Sequence, residues 1–300
     1  MITNEQLRAF LAVVEQGSFR KAAQTIFKTQ AAVSSAVKSL EDEFDVQLFS
    51  REEYRPKLTE AGEAFFHNAK LTMTHFERLD KVGHQLAQGI ESRFNIVISI
   101  AFPLPPLLKK IKTICDHFPN TQFKIFPEAL SGVVERIDDD ADLGFGPGIN
   151  LNTSHEKVPV AEVTFVNVVA PGYFKNNPEE TISLEEIEDY SQIITRDSAK
   201  QVEKASFHTD PNRKSWSVND FHTKKELILA GLGWGGLPKH LIEAELENTS
   251  LIPINVEGIP KKTTGTLYMF RSREQKHGPV STKFWNELIK AYGALGPDES

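Results

Sequence analysis

The chain has 300 residues, of which 40% are hydrophobic and 25% are charged, a composition typical of a globular protein with two or three folded units. No apolar run reaches the ~18 residues that a membrane-spanning helix needs, and the single cysteine, Cys115, excludes an intrachain disulfide. The net charge of −7 argues against indiscriminate binding to nucleic acids.

The first ten residues, MITNEQLRAF, lack the basic and then apolar layout of a signal peptide. We therefore expect a cytoplasmic protein with no membrane partner. Three short helices follow from the apolar spacing that begins at residue 4. Ser18 and Thr29 can cap the second and third helices, because their hydroxyls accept backbone N–H groups of a first turn. The apolar positions of the three helices are Leu7, Phe10, Leu11 and Val14, then Ala22, Ala23 and Ile26, then Val33, Val37 and Leu40.

The second and third helices lie in a basic stretch of small side chains. No acidic residue occurs between Gly17 and Leu40, and the stretch contains Arg20, Lys21, Lys28 and Lys38. Two short helices joined by a turn of about four residues form a helix-turn-helix unit. Small side chains on its third helix would let that helix lie deep in a major groove. Helix spacing alone leaves a second interpretation open, a small bundle with an alanine-rich interface.

A two-stranded wing is predicted after the third helix, from residues 46–49 and 57–58, with a turn between them. Here the chain resembles the LysR-type transcriptional regulators over about fifty residues. The matching residues are Gly17, Ser18, Phe19, Ala22, Ala23, Gln30, Ala32, Val33, Ser34, Leu40, Glu41, Leu48, Phe49, Arg51, Leu58, Thr59, Ala61 and Gly62. The chain departs from the family at Ala31, where proline is usual, at Ser35, where arginine is frequent, and at Asp45, where glycine is usual.

The resemblance implies binding to double-stranded DNA. Gln30, Ser34 and Ser35 are expected to face base edges, with Ala31 beside them. Hydrogen-bonding side chains distinguish bases in the major groove, whereas a cation on phosphate does not. The residues expected at the backbone or the minor groove, or at the helix ends, are Ser18, Lys28, Thr29, Lys38, Arg51 and Arg55.

A long helix is predicted from Thr59 to about Gln88, a length of ~45 Å. Its apolar residues recur at steps of three and four, and the stripe includes Phe65, Phe76, Leu79 and Leu86. A helix of this length needs cover for its stripe, and a second copy of the chain would supply it. We expect a homodimer or a homotetramer. The alternative is a helix that lies on its own C-terminal domain.

From residue 91 onward, apolar strands alternate with helices, which indicates an α/β domain. The LysR resemblance implies two α/β lobes, similar to periplasmic binding proteins, with a ligand cleft between them. The expected fold class is therefore α/β with an N-terminal all-α winged helix-turn-helix and a long linker helix. The expected domain bounds are 1–58 for DNA binding, 59–90 for the linker, and 91–300 for effector binding, with lobe I at 91–161 and 266–300 and lobe II at 162–265.

Ligands of parallel α/β sheets bind beyond the carboxyl ends of the strands. The loops at those ends contain Ala101, Phe102, Pro103, Gly146, Pro147, Thr195, Arg196, Asp220 and Phe221. The apolar wall predicts an amphipathic or aromatic small-molecule effector, with its ring against Phe102. Arg196 could hold an acidic group of the effector in bidentate fashion. A structural ion pair is an equally weighted alternative for Arg196.

Three motifs are assigned no chemistry. The Gly231–Gly236 run matches G-x-G-x-x-G but follows a predicted helix, whereas the dinucleotide fingerprint follows a strand. The acidic run Asp138–Asp142 lacks the spacing of a calcium loop. Cys115 lies on the apolar stripe of its helix, where a thiol behaves as a small hydrophobe. We expect no metal and no cofactor.

Two functions from different classes remain. The first is a ligand-responsive, sequence-specific DNA-binding regulator that is not an enzyme. The second is a small-molecule binding protein or an enzyme, in which the helical N-terminus only assembles the protein. The basic helix and the arginines of the wing favour the first.

Overall fold

The computed structural model describes residues 1–50, 55–175, 181–200 and 214–292. Contacts divide the chain into two compact units, Met1–Gln88 and Gly89–Ser300. The first unit is helical, and the second contains all eleven of the strands named below. Each unit is described separately.

The first unit contains four helices, and each begins at a side-chain cap. They are α1 (Asn4–Gln16), α2 (Phe19–Thr25), α3 (Gln30–Phe44) and α4 (Glu60–Ala87). The predicted caps Ser18, Thr29 and Thr59 each accept a backbone N–H of the first turn. Thr3 and Gln6 form a reciprocal capping box at α1, which the sequence analysis did not identify.

Aromatic rings fill the core of the first unit. Phe10 of α1 is fully buried, with its ring centroid 5.5 Å from that of Phe49 and 5.3 Å from that of Phe65. Phe19 packs against Phe49 at 5.7 Å. The predicted apolar positions Val33, Val37 and Leu40 of α3 are buried against this cluster. The core therefore joins the helix-turn-helix to the first half of α4.

Among the described residues of the predicted two-stranded wing, the pairing is one bridge. Phe49 and Leu58 form an isolated antiparallel bridge, flanked by a bond from Ser50 N to Lys57 O of 2.8 Å. The Glu41 carboxylate accepts the N–H groups of Leu48 and Phe49 at 2.7 and 3.1 Å. These N–H groups consequently have a side-chain partner in place of a strand partner. Arg51 lies outside the described residues.

The apolar face of helix α4 is covered over its first half and exposed over its second half. Phe65, Ala69 and Met73 pack into the core of the first unit. Further along the helix Phe76, Leu79 and Leu86 are 44%, 67% and 55% exposed. The prediction that Phe65 belongs to the exposed stripe is wrong, because its ring packs edge-on against Phe10.

The second unit is an α/β structure, as predicted. Its strands are β1 (Arg93–Ser99), β2 (Gln122–Glu128), β3 (Leu143–Pro147), β4 (His155–Val169), β5 (Thr181–Ile182), β6 (Gln192–Thr195), β7 (Ser215–Val218), β8 (Gly235–Pro238), β9 (Ile252–Pro253), β10 (Asn255–Val256) and β11 (Lys262–Ser272). Its helices are α5 (Leu104–Cys115), α6 (Gly132–Asp139), α7 (Leu184–Ile187), α8 (Phe221–Leu229), α9 (Glu243–Glu247) and α10 (Pro279–Tyr292). Strands β5, β7 and β8 were not predicted. The short strands β9 and β10 have different partners, since β9 pairs with β4 and β10 with β5.

One sheet runs through the second unit in the order β2-β1-β3-β11-β4-β8, with β9 also paired to β4. Strands β1, β2 and β3 are parallel, whereas β11 and β4 are antiparallel to each other and to their neighbours β3 and β8. A parallel pair, β6 and β7, joins β8 through a bridge between Gln192 and Trp234. We call the β1–β3 side the first lobe and the β6–β8 side the second lobe. The two long strands pass through both.

No helix in the described part of the chain is both long and apolar enough to cross a bilayer.

Gly62 tests the packing of the first unit. A Cβ at this position would lie 2.1 Å from Leu48 O and 3.0 Å from Leu58 Cδ2, so the backbone near the bridge would have to move. Alanine raises helix propensity by ~1 kcal/mol, but overpacking of this kind costs ~1–3 kcal/mol. We expect Gly62→Ala to lower the urea midpoint of the helical transition, measured by far-UV circular dichroism.

Two controls accompany that measurement. Thr74→Ala changes an exposed position of the same helix and should leave the transition unchanged or raise its midpoint slightly. The three tryptophans, Trp216, Trp234 and Trp285, all lie in the second unit, so their fluorescence transition should not move. A Gly62→Ala midpoint equal to that of the unmodified protein would contradict the predicted clash.

Candidate nucleic-acid interface and ligand cleft

Helix α3 has two chemically different faces. Val33, Val37 and Leu40 are buried in the core of the first unit. Gln30, Ala31, Ser34, Ser35 and Lys38, which were predicted to meet DNA, are all exposed. These five follow the i, i+1, i+4, i+5, i+8 spacing of one helical face. The helix therefore presents short polar side chains and one cation on the side opposite the core.

Three other predicted DNA residues already have partners in the first unit. Thr29 Oγ1 accepts the Ala32 N–H at 3.2 Å, and Ser18 Oγ accepts that of Lys21 at 3.4 Å. Lys28 Nζ lies 2.8 Å from the Glu5 carboxylate, and this bond and charge lower the pKa of Glu5. Both side chains of the pair are exposed, so the pair is weak and solvent-screened.

The chain enters the wing through a left-handed residue. Asp45, which stands where the family usually has glycine, follows α3 with φ of 52°. Aspartate tolerates this conformation better than most residues, because its short polar side chain bonds locally. The substitution therefore preserves the turn. Arg55 is exposed beyond the bridge.

A cleft of about 380 Å³ lies in the second unit, where the strands of the two lobes end. Its size is within the range of small-molecule sites. The lining comes from β1, β3, β6, β7 and β8, the loops after β1, β2 and β6, the middle of β4 and β11, and the first turns of α8. The lining residues are Ser99, Ile100, Ala101, Ala129, Leu130, Pro147, Val163, Phe165, Asn167, Gln192, Ile194, Thr195, Arg196, Asp197, Ser217, Phe221, Lys224, Gly236, Thr263, Gly265, Thr266 and Leu267.

The predicted ligand residues divide into two groups. Ala101, Pro147, Thr195, Arg196 and Phe221 line the cleft. The other four are absent from the lining and have other surroundings. Phe102 is buried with its ring 5.6 Å from that of Phe145, and Pro103 precedes α5 as its N-cap residue. Gly146 faces Val133, and Asp220 caps α8 by accepting the Thr223 N–H at 2.8 Å.

Several polar residues of the lining were not predicted, and Lys224 and Gln192 are two of them. Lys224 is 6% exposed, and burial lowers the pKa of its amine to about 7. Gln192, at the start of β6, is also buried. The sequence contained a signal for Lys224, since it stands three residues after Phe221 and four before Ile228 on the buried stripe of α8.

Contacts across one side of the cleft join the two lobes. Ser198 Oγ accepts the Ala129 N–H at 2.9 Å and donates to Ala129 O at 3.0 Å. The Asp197 carboxylate accepts the Ser131 N–H at 3.4 Å, next to the start of α6. The loop after β2 and the loop after β6 are consequently in direct contact, and Asp197 is buried between them.

Two of the three motifs that were assigned no chemistry have structural roles. The Gly231–Gly236 run connects α8 to β8. A Cβ at Gly233 would lie 2.6 Å from Ser191 O, just before β6, and a Cβ at Gly235 would lie 2.5 Å from Ile193 O in β6. In the acidic run Asp138 pairs with His155 Nε2 at 2.9 Å, and Asp140 with Arg136 Nε at 2.9 Å. Burial raises the pKa of Asp142, which accepts the Asn95 N–H at 2.7 Å.

A helix-turn-helix unit followed by a cleft-bearing α/β unit defines the class of ligand-responsive transcriptional regulators. Two family models match the chain. Residues 4–63 match the bacterial regulatory helix-turn-helix protein, lysR family, and residues 87–293 match the LysR substrate binding domain. The chain belongs to the LysR family of transcriptional regulators.

Named relatives agree with this assignment. The HTH-type transcriptional activator AllS of Klebsiella pneumoniae is 30% identical over 245 residues, which cover 80% of this chain and 91% of that protein. The probable HTH-type transcriptional regulator YhaJ of Escherichia coli K12 is 28% identical over 297 residues and 97% of each chain. The C206 mutant of Corynebacterium glutamicum OxyR has the same fold, with a TM-score of 0.56 at 18% identity, over 98% of this chain and 93% of that one.

The buried Lys224 predicts how the stability of the second unit depends on pH. An unfolded lysine has a pKa near 10.4, whereas burial lowers that of Lys224 to about 7. Between these values the unfolded chain binds more protons, so the free energy of unfolding should rise with pH by up to about 1.4 kcal/mol per unit. The destabilisation is complete below pH 7 and disappears as the pH approaches 10.

The measurement is urea unfolding by tryptophan fluorescence at several pH values, on the unmodified protein and on Lys224→Met. Methionine has a similar length and no charge, so the difference between the two proteins isolates the amine. We expect the unmodified protein to gain stability relative to the variant between pH 7 and 10. Parallel pH profiles would mean that Lys224 titrates as an exposed lysine.

Proposed function

We propose that this regulator reads a specific DNA sequence with the exposed face of α3, and that a small-molecule effector in the cleft of the second unit modulates it. The observation that supports DNA binding is the division of α3 into a buried apolar face and an exposed polar face. Selection of fragments of its own genome by the pure protein would identify the DNA sequence.

The chemistry of the exposed face supports base reading. Gln30 offers both a donor and an acceptor, the arrangement that pairs with adenine in the major groove. Ser34 and Ser35 can donate or accept, and with Ala31 they are short enough for the helix to approach the bases. Lys38, Arg51 and Arg55 then serve the phosphates, which set position and not sequence.

The cleft supports effector binding. Its walls come from both lobes and include apolar side chains such as Phe165, Ile194 and Phe221. Among its polar groups, Thr195 and Arg196 lie at the end of β6 and Lys224 lies on α8. Such a mixture of apolar wall and convergent polar groups is typical of sites for small molecules. Arg196 is exposed at this end of the cleft and offers a bidentate donor for an acidic group.

We further propose that two copies of the chain associate through α4, as the core of a homodimer or a homotetramer. Phe76, Leu79 and Leu86 recur at helical spacing on a face that the first unit covers only as far as Met73. Exposed apolar side chains in a row of this kind indicate an interaction surface.

The prediction for DNA concerns Gln30. Gln30→Ala removes a bidentate base contact and should change the preference for the selected sequence by ~1–3 kcal/mol. Lys38→Ala removes a phosphate contact, so it should weaken all sequences alike and lower the salt slope by about one. Fluorescence anisotropy at several salt concentrations, with selected and scrambled duplexes, measures both effects.

Unchanged specificity and affinity in Gln30→Ala would mean that α3 does not read the bases. If the unmodified protein showed no salt-dependent binding to DNA, the alternative would be favoured, in which the helical N-terminus only assembles the protein.

The prediction for assembly concerns Phe76 and Leu79. Glutamate at either position would place a charge in an apolar interface, which is strongly unfavourable. We expect Phe76→Glu and Leu79→Glu to give monomers in sedimentation velocity experiments. Thr74→Glu is the matched control, because it adds the same charge to the same helix on the opposite face.

A dimer that survives both substitutions would put the main interface elsewhere, for example between the second units.

A further inference from the structure

Lys224 is an unusual constituent of an effector cleft. Its side chain lies between the ring of Phe221, whose centroid is 5.9 Å from Nζ, and the backbone at Gly235. Among the described residues no carboxylate lies within ion-pair distance of Nζ. Lysine is almost never buried without such a partner, because removing an ammonium group from water is costly. The site therefore holds an amine that has no charge partner from this part of the chain.

The local sequence makes room for this amine. A Cβ at Gly235 would lie 3.0 Å from Lys224 Cε and 3.4 Å from Nζ, which is close to the limit of ordinary contact. Helix α8 begins at the Asp220 cap and turns Phe221, Lys224 and Ile228 inward. The neighbouring Lys225 points to the other side and pairs with Glu245 at 2.6 Å. The fold thus buries one lysine of an adjacent pair.

A second polar group of the same cleft is also without a partner. Thr195 Oγ1, at the end of β6, is buried and makes no hydrogen bond to any described residue. Thr195, Arg196 and Lys224 all belong to the lining. A hydroxyl, a guanidinium and an amine that converge on one cavity form a donor set, and their common acceptor is an oxyanion.

We infer that the effector carries a carboxylate or a similar anionic group that pairs with Lys224, and that Lys224 takes up a proton when the effector binds. The inference rests on the proposed effector cleft and adds its ligand class. The rest of the ligand meets Phe165, Phe221 and Ile194, so it is apolar.

Proton uptake follows from the two environments of the amine. Without a ligand, burial lowers the pKa of Lys224 to about 7, so about nine tenths of the molecules hold a neutral amine at pH 8. An anion at Nζ favours the charged form and raises that pKa. Binding at pH 8 then takes up nearly one proton, and binding at pH 6 takes up almost none. Above pH 7 the affinity falls by up to about tenfold per pH unit.

Other titratable groups near Lys224 could also contribute to a pH-dependent affinity. Arg196 and Asp197 face the cleft from the end of β6, and α8 itself carries Asp220 and His222. In the described chain β4, β7 and β8 contribute no titratable side chain to the lining. The hydrogen bond from the Thr223 N–H lowers the pKa of Asp220, so its carboxylate stays ionised between pH 6 and pH 8.

The test uses two matched pairs of probes, phenylacetate with phenylacetamide and hexanoate with hexanamide. Isothermal titration calorimetry of the full-length protein at pH 6 and pH 8, in two buffers of different ionisation enthalpy, gives the affinity and the proton uptake. We expect the carboxylates to bind at least about tenfold more tightly than the amides, with an uptake near zero at pH 6 and near one at pH 8.

Two variants locate the effect. Lys224→Met should abolish proton uptake and weaken the carboxylates to the level of the amides, whereas Lys225→Met, on the same helix, should change neither quantity. Trp fluorescence unfolding verifies that both variants are folded.

Three results would overturn the inference. Equal affinities for acid and amide would leave the cleft as a binding site without an anion site. Carboxylate binding without proton uptake would assign the anion to Arg196 alone. Binding of none of the four probes would also reject it, while DNA binding, measured separately, would still decide the proposed regulatory function.

Discussion

The antiparallel ladder between β4 and β11 positions everything in the second unit that could meet an effector. It runs from Lys262 opposite Val166 to Ser272 opposite His155, with a register shift at Leu267. Strand β3 pairs with one end of β11, and β8 pairs with the far end of β4. The first lobe is therefore attached through β11 and the second through β4, and the cleft lies where the middle parts of these two strands separate the lobes. Hydrogen bonds of this kind fix register to one residue.

The cleft between the lobes buries a group that is normally charged, the amine of Lys224. Most of its wall is apolar and Lys224 is buried in it, so the amine is destabilised as a cation. The same feature that reduces the stability of the empty protein at neutral pH is what would make an anionic ligand effective. A site that is unfavourable when empty gains more from its partner than a surface lysine would.

The first unit depends on a different constraint, the length of α4. Its first half completes the aromatic core around Phe10, and its second half extends beyond that core with Phe76, Leu79 and Leu86 exposed. The helix repeats one apolar face over a distance that the four-helix unit is too small to cover. An intermolecular partner for the exposed half is the economical explanation, since helices in proteins gain most of their stability from packing.

The sequence by itself determined the four helices of the first unit, the caps at Ser18, Thr29 and Thr59, and the two faces of α3, because these depend on side chains a few residues apart. Tertiary structure decided the rest. In the described part of the wing it formed one bridge, and it turned Phe102 into the core against Phe145 instead of toward the cleft. It also separated Lys224 from Lys225, which are adjacent and chemically identical. One is buried in an apolar cavity and the other is paired with Glu245, since burial depends on residues far away in the chain.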